Sequence, residues 1–369
     1  MNLTLVISSL GCGGAERVMA RLANYWSARG HAVNLLTLAS GDPFYDLDLR
    51  VHHYGLGLTG RSAGALEGLF HNLRRIAALR RTIRQSRPDV VLSFMDRMNV
   101  LTLLATRGLG IPVVVSERTD AQSHNPGRAW RSLRLIAYRH ADVLVYPSSS
   151  GRARAASLVA PKLRVIPNAV TPPKSRSLVK CAAERSAPVV VAMGRLTEEK
   201  GFDLLLDAFA RVAHRHADWS LRVFGDGPLR QDLCAQAASA GLASRITFPG
   251  RVADPAQAFE QADLFALPSR FEGFPNVLCE AMAWGLPVVS FNCPSGPAEI
   301  LRDGIDGVLV PPENVKDLAA TLDRLMGDPA ERGRLASRSP EVAQRFSSEK
   351  VMAMWDSVLT EVVSARGGD

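Results

Sequence analysis

Residues 189–215, VVVAMGRLTEEKGFDLLLDAFARVAHR, set the fold. Val189–Met193 is an unbroken apolar run, too short for a helix that buries itself and right for a strand covered on both faces. A loop opening with Gly194 follows it, and a helical pattern then runs over 202–215. Strand, loop and helix recur on either side. In the second half the strand-like runs are Leu221–Phe224, Ile246–Phe248, Leu264–Ala266, Val288–Phe291 and Val308–Val310, with helices expected at 228–240, 275–284 and 314–326. In the first half the runs are Leu3–Ser8, Val33–Leu38, Val90–Phe94, Val113–Ser116, Val143–Tyr146 and Arg164–Ile166, with helices at 15–28, 64–85 and 128–139. Apolar strands alternating with helices form parallel sheets, so the chain reads as an α/β protein of two doubly wound domains.

The 369 residues suit two domains of similar size. Expected boundaries are an N-terminal domain over 1–170, a linker over 171–187 that includes Pro172 and Pro173, a C-terminal domain over 188–346, and an amphipathic helix over 347–369. That helix carries Val351, Met354, Trp355, Val358, Leu359 and Val362 on one stripe. With 47% hydrophobic and 22% charged residues, disordered, collagen-like and disulfide-scaffold classes fall away. The longest apolar run, Met98 to Val115, is interrupted by Arg107 and Pro112, so no membrane span is expected. The start, MNLTLVISSL, enters a strand without a basic leader, and no secretory signal is expected. Cys12, Cys181, Cys234, Cys279 and Cys293 form no CxxC pair; they read as buried thiols in a reducing, cytoplasmic setting rather than as a zinc cage.

In such sheets ligands sit beyond the carboxyl ends of the strands. The first strand ends in Ser9-Leu10-Gly11-Cys12-Gly13-Gly14, and a helix begins near Glu16, which leaves free amides for an anion. Gly194-Arg195-Leu196-Thr197-Glu198-Glu199-Lys200-Gly201 delivers a guanidinium and an ammonium five residues apart, a pairing suited to phosphate oxygens. The stretch PSRFEGFPNVLCEAMAWG, residues 268–285, places Glu272 in a loop and Pro275 at a helix start. Glu280 then lies about a turn and a half into that helix, which Gly285 ends. Backbone amides around Phe274, Asn276 and Val277 would face an anion, and the two carboxylates can each accept from vicinal hydroxyls.

On these residues the chain resembles the retaining glycosyltransferases of GT-B type in family four. The resemblance spans nearly the whole length. It rests on the early Gly-Gly-Ala-Glu turn, Pro167-Asn168, Gly194-Arg195-x4-Lys200-Gly201, Gly225-Asp226-Gly227-Pro228, Gly250-Arg251-Val252 and Glu272-x7-Glu280. It is similar in particular to bacterial enzymes that extend undecaprenyl-diphosphate-linked glycans, such as N-acetylgalactosaminyltransferases and exopolysaccharide transferases. The resemblance implies two Rossmann-like domains facing a cleft, with the C-terminal helix crossing back to the N-terminal domain. It implies metal-independent, retaining transfer from a nucleotide-diphosphate sugar, UDP-linked by family lean, to a polyprenyl-diphosphate-linked saccharide, with no cofactor. Arg195 and Lys200 would grip the diphosphate, Glu280 the ribose, and Glu272 with Gly273, Phe274, Asn276 and Val277 the transferred sugar. Arg251 and Val252 would border the base, and Gly13 and Gly14 would approach the phosphates. Glu16, Arg118 and Arg128 are the candidates for acceptor contact. Many relatives carry a His where this chain reads Ser116-Glu117-Arg118-Thr119; a guanidinium is no general base, so Arg118 would orient the acceptor or stabilise charge.

Three further signals bear on function. Asp46-Leu47-Asp48 is formally a DxD but sits in a Gly/Pro/Asp loop and reads as surface; His52-His53 and His214-x-His216 lack a third ligand. Residues 1–175 hold 23 Lys and Arg against 10 Asp and Glu, including Arg61, Arg74, Arg75, Arg80, Arg81, Arg84 and Arg87 opposed by Glu67 alone. Without a nucleic-acid-reading motif beside it, this basic half points to an anionic membrane face and a peripheral protein on the inner leaflet rather than to nucleic acid. A nucleotide-sugar 2-epimerase of the same fold and a non-catalytic sugar-nucleotide-binding protein remain the alternatives.

Overall fold

The computed structural model of the chain describes residues 1–60, 64–118, 127–154, 162–173, 187–252 and 254–366. It divides into two compact units, 1–168 with 349–369, and 169–348.

The first unit runs β1 (Asn2–Ile7), α1 (Gly14–Ala28), β2 (Ala32–Thr37), β3 (Val51–Gly55), α2 (Ala65–Ser86), β4 (Val90–Phe94), α3 (Asp96–Thr106), β5 (Val113–Ser116), α4 (Arg128–Ala137), β6 (Val143–Tyr146), α5 (Ser149–Arg154) and β7 (Leu163–Val165). Its sheet has the order β3-β2-β1-β4-β5-β6-β7, and the paired strands run parallel. Every residue of β4, β5 and β6 is buried, as expected of strands covered on both faces. Three elements of this unit, β3, α3 and α5, had no signature in the sequence reading. β3 is an edge strand with only Val51 fully buried, so it carries no apolar run. α3 is buried on nearly all sides, Asn99 and Thr102 included, so it shows no amphipathic stripe.

The second unit runs β8 (Val189–Met193), α6 (Phe202–Val212), β9 (Ser220–Phe224), α7 (Arg230–Ser239), β10 (Ile246–Gly250), α8 (Ala256–Phe259), β11 (Leu264–Leu267), α9 (Asn276–Trp284), β12 (Val288–Phe291), α10 (Pro297–Ile300), β13 (Val308–Val310), α11 (Val315–Gly327), α12 (Pro329–Arg338) and α13 (Glu341–Arg345). Its parallel sheet has the order β10-β9-β8-β11-β12-β13. One face is covered by a core of Leu205, Leu206, Phe209, Leu318 and Leu322; the other by Phe259, Leu278, Met282 and Val342. Each such fully buried aliphatic or aromatic side chain contributes about 1.5–3 kcal/mol.

The division falls at 168/169 rather than at the expected 170, because Val170 N–H donates to Phe346 O at 2.8 Å and pairs with Ser347, inside the second unit. Most of the expected linker lies outside the described residues. The last helix, α14 (Ser348–Ser364), belongs with the first unit almost entirely. Trp355 is fully buried there against Phe94, with ring centroids 6.0 Å apart. Asp356 accepts from Tyr25 Oη and Trp26 Nε1, each at 2.8 Å, and Glu361 pairs with Lys162 at 2.8 Å.

Cys279 and Cys293 are buried as expected, but Cys12 and Cys234 are exposed, one in the loop after β1 and the other on the outer face of α7. Cys181 lies outside the described residues. The DxD reading meets a structural occupation: Asp48 accepts from Arg50 Nε at 2.8 Å, Arg50 Nη2 at 2.7 Å and the Arg50 amide at 3.0 Å, which hold its carboxyl below the usual range. His216 faces Asp323 at 2.8 Å and His53 faces Thr37 Oγ1 at 2.9 Å. Among the described residues no group of three or more His, Cys, Asp or Glu is placed to hold a metal ion, and no helix is long and apolar enough to cross a membrane.

Candidate active site

In the second unit the strand order reverses between β8 and β11: β9 and β10 continue on one side of β8, β12 and β13 on the far side of β11. The crevice beyond the carboxyl ends of such a strand pair is the natural ligand position of a doubly wound sheet. The motif residues occupy that edge. Arg195 and Lys200 follow β8, Gly225–Pro228 follow β9, Arg251 and Val252 follow β10, and Pro268–Pro275 follow β11.

Glycines bring these loops together. Gly225, at φ +135°, would place a Cβ 1.8 Å from Gly194 O, and a Cβ on Gly201, at φ +63°, would fall 2.0 Å from Pro268 O. Only a residue without a side chain fits either contact. The second lets the Lys200 turn lie directly on the loop after β11. There Lys200 Nζ meets Glu272 Oε1 at 2.6 Å, across 72 residues of sequence. Ser269 Oγ donates to the same oxygen at 2.7 Å, and Ser295 Oγ donates to the Glu272 carbonyl. The Glu272 side chain is 9% exposed and that of Lys200 24%, so the pair stands at the surface edge of a buried cluster. Cys293 lies nearby; burial first, then the Glu272 charge, push its thiol up to about 12.

A second cation braces the same turn. Arg270 forks onto Asp203 at 2.8 and 2.6 Å, reaches Glu313 at 3.1 Å, and donates to Glu198 O at 2.7 Å. Burial alone would raise the Asp203 carboxyl, but Arg270 outweighs it and holds Asp203 below its ordinary value. Arg270 therefore ties the Lys200 turn to the loop after β11. Its role was not read from the sequence, since a lone Arg beside Ser269 and Phe271 gives no hint that its partner lies at 203. Ser295 likewise contacts Glu272 from 23 residues away.

The remaining expected residues fall as follows. Arg195 is exposed in the loop after β8, with no side-chain partner among the described residues. Pro275 caps α9, Gly285 ends it at φ 90°, and Glu280 is half-buried within it. Phe274 has only its backbone to offer, because its ring is buried edge-on against Phe346, centroids 5.5 Å apart. Gly273, Asn276 and Val277 are partly exposed around it; Arg251 is exposed and Val252 half-buried.

In the first unit, Gly13 caps α1 in an extended conformation, and a Cβ there would lie 2.2 Å from Glu16 Oε2. The Glu16 carboxylate thus folds over Gly13, next to Gly14, where free amides were expected. Arg118 follows β5, and Arg128 begins α4 with its side chain outside the described set. Glu117, one residue before Arg118, is wholly buried: Tyr138 donates to Oε1 and Arg134 Nη1 lies at 3.7 Å. Burial raises its carboxyl to about 7, against the lowering pull of Arg134 and Tyr138.

Comparison with known proteins follows the same division. A family profile described as "Glycosyltransferase Family 4" matches residues 12–173, and one described as "Glycosyl transferases group 1" matches 187–328. Together they span most of the chain. This chain is a GT-B glycosyltransferase. A relative from Campylobacter jejuni, named GalNAc-alpha-(1->4)-GalNAc-alpha-(1->3)-diNAcBac-PP-undecaprenol alpha-1,4-N-acetyl-D-galactosaminyltransferase, is 27% identical over 99% of this chain and 100% of its own length. Among solved structures, sucrose-phosphate synthase from Thermosynechococcus elongatus superposes with a TM-score of 0.81 at 20% identity, covering 99% of both chains. Anabaena Alr3699/HepE in complex with UDP and glucose gives 0.80 at 21% identity, covering 98% of this glycosyltransferase and 99% of the other chain. At such identities these two likenesses speak for the fold.

Proposed function

We propose that this glycosyltransferase transfers a sugar, with retention, from a nucleotide-diphosphate sugar, UDP-linked, to a polyprenyl-diphosphate-linked saccharide in polysaccharide or glycoconjugate assembly. The observation that carries the reading is the Lys200–Glu272 pair at the switch point of the second sheet. The Campylobacter relative is named for an undecaprenol-diphosphate acceptor, and the Anabaena neighbour is described with UDP and glucose; both support the choice of substrates.

Breaking a sugar–phosphate bond builds negative charge on the diphosphate and positive charge on the anomeric carbon. A fixed ammonium and guanidinium beside the phosphates stabilise the first, so Lys200 and Arg195 take the part a divalent ion plays elsewhere. Glu272 orients Lys200 and accepts from hydroxyls of the transferred sugar, with the amides around Phe274–Val277 completing the grip. Glu280 accepts from the ribose, and Arg251 and Val252 border the base. The departing phosphate oxygen takes the acceptor proton on the face it leaves, which yields retention without a protein nucleophile.

The acceptor belongs to the first unit, with Glu16, Arg118 and Arg128 as its contacts, while Gly13 and Gly14 approach the donor phosphates. Its α2 exposes Leu66, Leu69, Phe70 and Leu73 at helical spacing, beside exposed Arg74, Arg81 and Arg84. That pattern supports docking on the anionic inner face of the cytoplasmic membrane. Not all the arginines are free for it: Arg75 is used on Leu58 O and Gly60 O, and Arg80 on Ala105 O and Arg107 O. Arg61 lies outside the described residues.

The test is a panel of nucleotide sugars offered with a membrane lipid extract, with and without EDTA, read by mass spectrometry. A lipid-linked glycan heavier by one sugar, formed equally with EDTA, is expected. Donor consumption to a free 2-epimer, or no product with any donor, overturns the reading.

A further inference from the structure

The first unit holds a cation that its own structure leaves unanswered. Arg118 leaves β5 with its guanidinium carbon 3.9 Å above the centroid of the Phe94 ring and 5.7 Å from that of Trp355 on α14. Nη1 donates to Asn168 Oδ1 at 2.6 Å. Among the described residues, Nε and Nη2 are buried without a hydrogen-bond partner, and Arg118 takes part in no ion pair. Burial, with no counter-charge among the described residues, draws its pKa down to about 9.

The two orphaned nitrogens are not an arbitrary pair. Nε–H and Nη2–H lie on one edge of the guanidinium, parallel and spaced to grip two oxygens of one phosphate or carboxylate. Two aromatic faces and Asn168 hold the plane in place, which is preorganisation for a bidentate contact. A buried charge with unmet donors is costly to keep, and here it persists beside Met95, a non-glycine residue at φ 80°. Costs of this kind gather where a ligand repays them. The location agrees: Phe94 ends β4 and Arg118 follows β5, beside the point where the first sheet reverses its order between β1 and β4.

We infer that the open edge of Arg118 is a phosphoryl-binding site of the first unit, taking two oxygens of a substrate diphosphate. The inference rests on the acceptor assignment proposed above and sharpens it: Arg118 recognises the charged linker of a diphosphate-bearing acceptor rather than its sugar hydroxyls. Two substrates carry this chemistry, the acceptor and the nucleotide-sugar donor, and the test separates them.

UDP is titrated calorimetrically into the full chain, and inorganic pyrophosphate into the chain then saturated with UDP, comparing the native protein with Arg118→Gln and Arg118→Lys. Steady-state transfer is then measured to a diphosphate-linked glycan and to the same glycan on a neutral alkyl chain. Pyrophosphate affinity in the presence of UDP should fall at least about tenfold in Arg118→Gln. KM should rise by a similar factor for the diphosphate acceptor and stay unchanged for the neutral glycoside. Arg118→Lys keeps the charge but loses the two-pronged edge, so it should recover less than half of the loss on a logarithmic scale. A loss confined to UDP affinity supports the site and assigns it to the donor diphosphate. Unchanged affinity for both ligands, or an equal loss with the neutral glycoside, overturns the inference. Should Arg118→Gln fail to fold, Arg118→Lys carries the same comparison. Absence of transfer with every donor sinks the proposed function but leaves the pyrophosphate titration readable.

Discussion

Glu117 gives the first unit a pH dependence that one substitution should remove. Its carboxyl titrates near 4.5 in an unfolded chain and near 7 in the folded one. Below pH 4.5 both states hold the proton and stability does not respond. Between 4.5 and 7 the folded state keeps a proton that the unfolded state has released. Stability therefore falls as pH rises, by about 1.4 kcal/mol per unit, for a total of about 3 kcal/mol, and levels off above 7. This is the reverse of the usual carboxylate, because burial outweighs Arg134 at 3.7 Å and the Tyr138 hydroxyl. In Glu117→Gln nothing titrates there. The assay is urea denaturation between pH 5 and 8 in a Trp219→Phe, Trp284→Phe background, so that fluorescence reports on Trp26, Trp130 and Trp355 of the first unit. Native stability minus variant stability should fall by about 2–3 kcal/mol from the low to the high end of that range, whatever the offset due to losing the Arg134 pair. Parallel pH profiles would refute the assignment of that proton to Glu117.

Lys200→Met should lower turnover by about 10²–10³-fold, the scale of removing one preorganised charge-stabilising donor, with Glu272→Gln lowering it less because Ser269 and Lys200 can still meet a neutral acceptor; both are checked by steady-state transfer. Asp306, wholly buried, accepts from Arg302 Nε at 2.7 Å and Arg345 Nη2 at 3.1 Å. Asp306→Ala should destabilise the second unit by about 3–5 kcal/mol in a thermal melt. Asp46→Ala should leave turnover within about twofold, and EDTA should not reduce it, since Asp48 of the same tripeptide already serves Arg50.

How far the sequence could be read depended on what each signal encodes. Strands such as Val90–Phe94 and Val189–Met193 declare themselves because burial on both faces requires an apolar residue at every position. α3 hides because burial on nearly all sides erases periodicity, and β3 because an edge strand needs little apolar surface. For the site, Lys200 and Glu272 were legible as types and as local spacing, and α9 began and ended where Pro275 and Gly285 placed it. Their partners were not: Arg270 with Asp203, and Ser295 with Glu272, are contacts across 67 and 23 residues that only the sheet order creates. Nor could sequence reveal that Glu16 folds over Gly13, or that two edges of Arg118 differ so sharply in what they touch.

A crystal of the full chain soaked with a UDP-sugar tests the central claim most directly. The account expects the diphosphate within hydrogen-bond reach of Lys200 and Arg195, the ribose on Glu280, and the sugar on Glu272. A nucleotide bound elsewhere, with the Lys200–Glu272 pair unmoved and facing solvent, would contradict it.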